Sequence, residues 1–141
     1  RYLRVRTIGH GRRSARYLTV QKLSVFPALP EFTQTALLGD RSFRVRLRWF
    51  DRLDAWYLDL YEADGTPIAL GRRVSPGWLA VPDVNRKRAD LPAGGALFVL
   101  GDEPYVREDL GDGVQILFVS ADDFATLHDD DVPGVPVVVT I

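Results

Sequence analysis

The chain has 141 residues, is 46% hydrophobic and 26% charged, and carries a formal net charge of −1, the size and balance of one globular domain with enough length to bury a core. It contains no cysteine, which excludes disulfides, thiolate nucleophiles and cysteine-held zinc and fits a reducing compartment, and it has no apolar run near the roughly 18 residues of a membrane-spanning helix. The small net charge conceals a polarity: residues 1–22 hold seven basic side chains and no acid, whereas from residue 101 onward ten acids face a single base, Arg107, an asymmetry that bears on partners rather than on fold.

The first stretch, "RYLRVRTIGHGRRSARYL", is positively charged but lacks the apolar core of a secretory signal. It begins at Arg1 and the chain has no Met, so an initiator residue is expected upstream or has been removed. "GHGRRS" breaks any period, and residues 1–16 are read as a basic, mostly irregular arm ahead of a single β domain spanning 17–141. Residues 17–26 alternate well enough for a strand. Pro27 and Pro30 end it, because proline cannot donate to a ladder. The strongest signal is "SFRVRLRWF", in which Phe43, Val45, Leu47 and Trp49 alternate with Arg44, Arg46 and Arg48: one face buried and one charged.

Asp51 to Asp54 read as a turn. In the next strand Trp56, Leu58 and Leu60 share one face, and Tyr57, Asp59 and Tyr61 share the other. Asp64-Gly65 reads as a type I′ turn with positive φ at both central residues, returning the chain through residues 67–74. The runs "ALFVL" (96–100) and "VQILFV" (114–119), bounded by glycines and prolines, read as strands buried on both faces. Residues 120–129 carry the one helical pattern, with Ser120 as N-cap and Asp122 and Asp123 at its positive end. "VPVVVTI" ends the chain as a strand. The expected fold is all-β: a small antiparallel barrel or sandwich of seven to eight strands with one short helix and the N-terminal basic arm.

No catalytic constellation emerges. His10 and His128 lack a nucleophile and an orienting partner in any recognisable motif. Ser14, Ser24, Ser42, Ser75 and Ser120 lie outside any nucleophile elbow. Asp59 and Glu62 have the residue types of a glycosidase pair, but period two sets them on opposite faces of one strand. "DLGDG" and the acids at 129–131 lack EF-hand spacing and read as solvated loops. Trp49, Trp56 and Tyr57 could stack a sugar or a base, yet Trp49 and Trp56 fall on the apolar face and are expected in the core. Neither cofactor nor metal is expected, and the chain is not read as an enzyme.

The words "RVRLRWFDRLDAWYLDLYEADGTPIALGRRV", "LPAGGALFVLGDEP", "REDLGDG" and "ILFVSADDF" resemble, in order and spacing, the cyanophage-type baseplate plug proteins of tailed phages. The resemblance covers about residues 41–124. It rests on arginine-flanked Trp49, Trp56 to Tyr61, Asp64-Gly65-Thr66-Pro67, Gly94 to Leu97, Asp109-Leu110-Gly111 and Val119 to Asp123. It implies a non-enzymatic virion protein, assembled in the host cytoplasm into the tail baseplate. There it would be a plug or connector near the hub and spike at the tail axis. Its neighbours would be other baseplate proteins (hub, spike, tail-tube or wedge components), and it would form a homo-oligomer, a trimer where hub and spike are threefold.

The basic arm is where partner contact is expected. Arg4, Arg6, Arg12, Arg13 and Arg16 are the candidate partner-binding residues, because the planar guanidinium fork suits carboxylates and the chain's own second half is acidic. Two other readings compete: a nucleic-acid-binding small β-barrel acting through this arm, with steep salt dependence, and a lytic baseplate component with one indispensable carboxylate. No membrane partner is expected. If residues 1–16 are a free arm, their removal should leave the body folded.

Overall fold

The computed structural model describes residues 2–8, 17–79, 95–120, 122–123 and 132–140. Among them are ten strands: β1 (Tyr2–Ile8), β2 (Tyr17–Lys22), β3 (Glu31–Leu38), β4 (Arg41–Phe50), β5 (Ala55–Glu62), β6 (Pro67–Arg73), β7 (Gly77–Trp78), β8 (Ala96–Gly101), β9 (Val114–Val119) and β10 (Val132–Thr140). They form two antiparallel sheets, β10-β1-β2-β9-β8-β7 and β3-β4-β5-β6. Neither sheet closes on itself. Of the two expected arrangements, the molecule takes the sandwich.

The four-stranded sheet is a meander written by period two. Phe43, Val45 and Leu47 of β4 are buried, and they pair across β5 with Glu62, Leu60 and Leu58. Their arginine neighbours turn to the outer face. The inner face packs against Leu97, Val99, Val114, Ile116 and Phe118 of β8 and β9, making one continuous core with Trp56 fully buried in it. Trp49, expected in the core, is half-buried at its rim, and its indole N–H donates to Asp51 Oδ1 at 2.8 Å. The expectation of double burial holds for β8 and β9: Ala96, Leu117 and Val119 form a second buried cluster with Val20 on the opposite face. β10 comes within contact of β8.

The β5–β6 loop differs from the expected type I′ turn. Gly65 has φ +93°, but Asp64 does not enter the positive region. Gly65 N–H donates to Glu62 O at 2.9 Å and Glu62 N–H to Thr66 O at 2.8 Å, which makes a three-residue loop closed by a glycine bulge. The reason is local. Asp64 Oδ1 accepts the Thr66 amide at 2.9 Å, a bond that also holds its carboxyl below the usual carboxylate range.

Three strands had no sequence expectation. β3 follows the prolines closely and has only modest alternation, with Phe32, Ala36 and Leu38 buried. β7 is two residues long. β1 falls inside the segment read as a mostly irregular arm: Tyr2–Ile8 pairs with β10 on one side and with β2 on the other. β1 is thus an interior strand of the six-stranded sheet rather than irregular chain, so removal of residues 1–16 takes away a paired strand along with the basic segment. The expected helix lies outside the described residues except at its start, where Asp122 and Asp123 are helical and the Asp123 amide donates to Ser120 Oγ at 3.3 Å. Among the described residues, the complete helical element is a 3₁₀ turn at Arg107–Asp109.

The free edge of β3 is closed by side chains. Gln21 donates its amide to Leu37 O and accepts the Gly39 amide at 3.2 Å, imitating a neighbouring strand, and Gln34 donates to Ser24 O. At the opposite edge of the same sheet β6 begins with a proline and carries a bulge, two devices that discourage strand addition.

Candidate functional site

The candidates named from sequence do not converge on one another. Arg4 and Arg6 lie in β1, opposite Thr19 and Tyr17 of β2. Arg12, Arg13 and Arg16 lie outside the described residues, as do His10, His128 and the acids at 129–131. Asp59 and Glu62 do not share a site. Asp59 accepts the Gly71 amide at 2.6 Å and pairs with Arg48 at 3.3 Å on the outer face, whereas Glu62 pairs with Arg41. Asp109 is occupied by the Val106 amide at 2.9 Å. Among the described residues no group of three His, Cys, Asp or Glu side chains is placed to hold a metal ion.

The chain instead builds a surface at one pole of the sandwich, where three loops meet: residues 23–30 between β2 and β3, 51–54 between β4 and β5, and 102–113 between β8 and β9. Tyr105 joins them. Its hydroxyl donates to Val74 O at 2.6 Å and accepts the Trp56 amide at 3.2 Å, and the Trp56 indole N–H donates to Arg107 O at 3.0 Å. Burial pushes the Tyr105 phenol above its ordinary pKa. A chain of edge-on ring contacts runs through the pole, from Phe26 to Phe32 to Trp56 to Trp49, with Trp49 tilted on Tyr105 at 6.3 Å. The Trp49 amide donates to Pro30 O at 2.8 Å and ties the first loop to the end of β4.

On this anchored base sit exposed apolar side chains. Phe26, Leu29, Phe50, Leu53 and Val106 are 37–58% exposed, and they are five of the seven large hydrophobic residues exposed among the described ones. Trp49 and Tyr105, walled by Leu53, Pro104 and Val106, line an open depression of about 650 Å³, within the size range of recognition pockets. Asp54 and the Arg73–Glu103 pair (3.0 Å) stand at its rim. Exposed apolar side chains beside a depression with a polar rim mark a candidate protein contact. Because the loops are already fixed, little ordering entropy remains to oppose docking.

Sequence reasoning missed this surface. The signal was present as large apolar residues inside turn segments, Phe26 and Leu29 flanking prolines, Leu53 between two aspartates and Val106 after Pro104-Tyr105. Periodicity arguments discard such positions, since they belong to no strand.

The family model of the cyanophage baseplate Pam3 plug gp18 matches residues 20–122 of the chain. No curated protein matches it. The matched span includes the whole four-stranded sheet, β8 and β9, and all three loops of the apolar pole. Plugs are structural parts and not an enzyme class, and a part of a baseplate must contact other baseplate proteins. The chain therefore belongs to the cyanophage baseplate plug family, a structural component of the phage tail baseplate in the virion.

Proposed function

We propose that this chain acts with no chemistry of its own, as a plug and connector beside the hub and spike at the tip of the tail axis, in a closed ring of three copies. The observation that carries the reading is the rigid three-loop pole, where exposed apolar side chains on anchored backbone call for a neighbour. A rotational ring makes each contact heterologous, one surface of a copy meeting a different surface on the next. The opposite charge of the chain's head and tail suits such a contact. In it Arg4, Arg6, Arg12, Arg13 and Arg16 contact carboxylates of an adjacent chain. Exposed ion pairs contribute only about 0–1 kcal/mol each, so the basic segment sets register and partner choice more than it adds stability.

The test is incorporation. Particles assembled with a chain carrying Arg12→Glu, Arg13→Glu and Arg16→Glu should lack the plug, although that chain melts like wild type. Normal incorporation would remove the docking role. Cross-linking within intact baseplates should give a ladder ending at three copies, and a ladder that stops at one copy would refute the ring.

A further inference from the structure

We infer that the apolar pole is the receiving surface for a second copy of this chain, and that its occupant is the β1–β2 connection, residues 9–16, of that copy. This rests on the reading that the basic segment docks on a neighbouring chain, and it names which chain and where. Two observations support it.

The first is charge. Loops 51–54 and 102–113 carry seven acids and two bases. Even with Lys22 and Arg73 adjoining, the pole keeps a negative excess. The segment "GHGRRSAR" carries three arginines and no acid. Arginine stems can lie on exposed Leu53 and Val106 while the guanidinium stacks on an aromatic face or pairs with Asp54, Asp102 or Glu103.

The second is topology. β2 runs from Tyr17 toward the pole, where Lys22 Nζ donates to Gly111 O at 2.6 Å. Arg6 pairs with Tyr17, so β1 ends and β2 begins at the far end of the sheet, away from the pole. A strand rises about 3.3 Å per residue, which puts Tyr17 about 17 Å from Lys22, with the depression beyond it. The β1–β2 end of the sheet and the pole therefore lie at opposite ends of one copy, so a contact between the two needs a second copy. Opposed donor and receiver ends give a head-to-tail contact, the kind a closed ring requires.

Self-association of the purified chain tests the inference directly, by native mass spectrometry and sedimentation. Wild type should form oligomers at low salt and lose them toward 1 M salt, where the screening length falls to about 3 Å. Arg12→Glu/Arg13→Glu/Arg16→Glu and Asp102→Lys/Glu103→Lys should each be monomeric, and their combination in one chain should restore the oligomer by exchanging the signs. If the lysine pair lowers the melting temperature, Asp102→Asn/Glu103→Gln replaces it and must still weaken association. A monomeric wild type, or a pole variant that associates like wild type, overturns the inference. If such a pole variant associates while the arginine variant fails to enter particles, the basic segment docks on another baseplate protein, and the proposed function survives without this site.

Discussion

The Tyr105 hydroxyl lies between Val74 O and the Trp56 amide, so its removal leaves two buried backbone groups without a partner. Tyr105→Phe is expected to cost about 1–3 kcal/mol, the usual penalty for unsatisfied buried groups, read as a lower midpoint in urea. The same residue predicts a pH dependence. Burial raises the phenol pKa in the fold, so its contribution to stability is complete below the ordinary tyrosine pKa of about 10 and is lost as pH rises through the higher folded value. Wild type should lose stability in that alkaline window more steeply than the Phe variant, and parallel curves would exclude Tyr105 as the cause. Trp56, fully buried with its indole N–H on Arg107 O, sets the larger scale. Trp56→Ala should cost about 3–5 kcal/mol, and an unchanged melting curve would mean that the inner face of the meander is misassigned. Asp59 shows how a residue can be placed correctly and still be misjudged. Alternation puts it on the outer face, where it does lie, yet it is only 4% exposed, because the bulge at Gly71 (φ +63°) folds backbone onto it. Asp59→Ala strips the Gly71 amide of its acceptor and Arg48 of its carboxylate, and should cost about 1–3 kcal/mol in the same urea assay.

At the scale of elements, the hairpins carry the register. Gly65 at φ +93° closes the β5–β6 loop, and a Cβ there would meet only Arg44 Nη1 at 3.6 Å, so space does not forbid a side chain but backbone conformation does. Gly65→Val should lower stability by about 1–2 kcal/mol, the cost of left-handed backbone for an L residue, without changing the strand content seen by circular dichroism. Loss of that content would mean that the turn, rather than the inner apolar face, holds the meander together. Period two made β4 and β5 legible from sequence, because arginine and apolar side chains alternate without exception from Phe43 to Leu47. Unbroken apolar runs did the same for the double burial of β8 and β9. β3 was not legible because Gln34 occupies an inward position in its middle, where it bonds Ser24 O rather than packing a hydrophobic core. β1 was hidden by the charge of its own arginines. A strand whose pairing partners are 11 to 138 residues away leaves no local mark beyond weak alternation. The apolar pole was invisible for a related reason, since it exists only when loops about 25 and 50 residues apart in sequence are brought to one end of the sandwich.

For the whole molecule, strand order decides what the basic head can be asked to do. β1 lies between β10 and β2, so residues 1–16 are at once a structural strand and a charged connection, and truncation confounds the two. Removing them would leave β10 without a partner and expose the long edge of β2 as an unpaired template for aggregation. The truncated chain should therefore melt at lower temperature and aggregate on heating. Reversing Arg12, Arg13 and Arg16, which lie between the paired parts of β1 and β2, removes the charge and keeps the ladder. Scanning calorimetry of the two chains beside wild type separates the roles: a large downward shift for the truncation and almost none for the charge reversal. Surface substitutions away from buried features are expected to stay within about 0.5 kcal/mol, so a comparable shift in both chains would show that the arginines serve the fold itself. In that outcome, failure of the reversed chain to enter baseplates could no longer be assigned to docking. If the truncated chain melts like wild type, β1 adds nothing to the sheet, and residues 1–16 act as the free arm that the sequence first suggests.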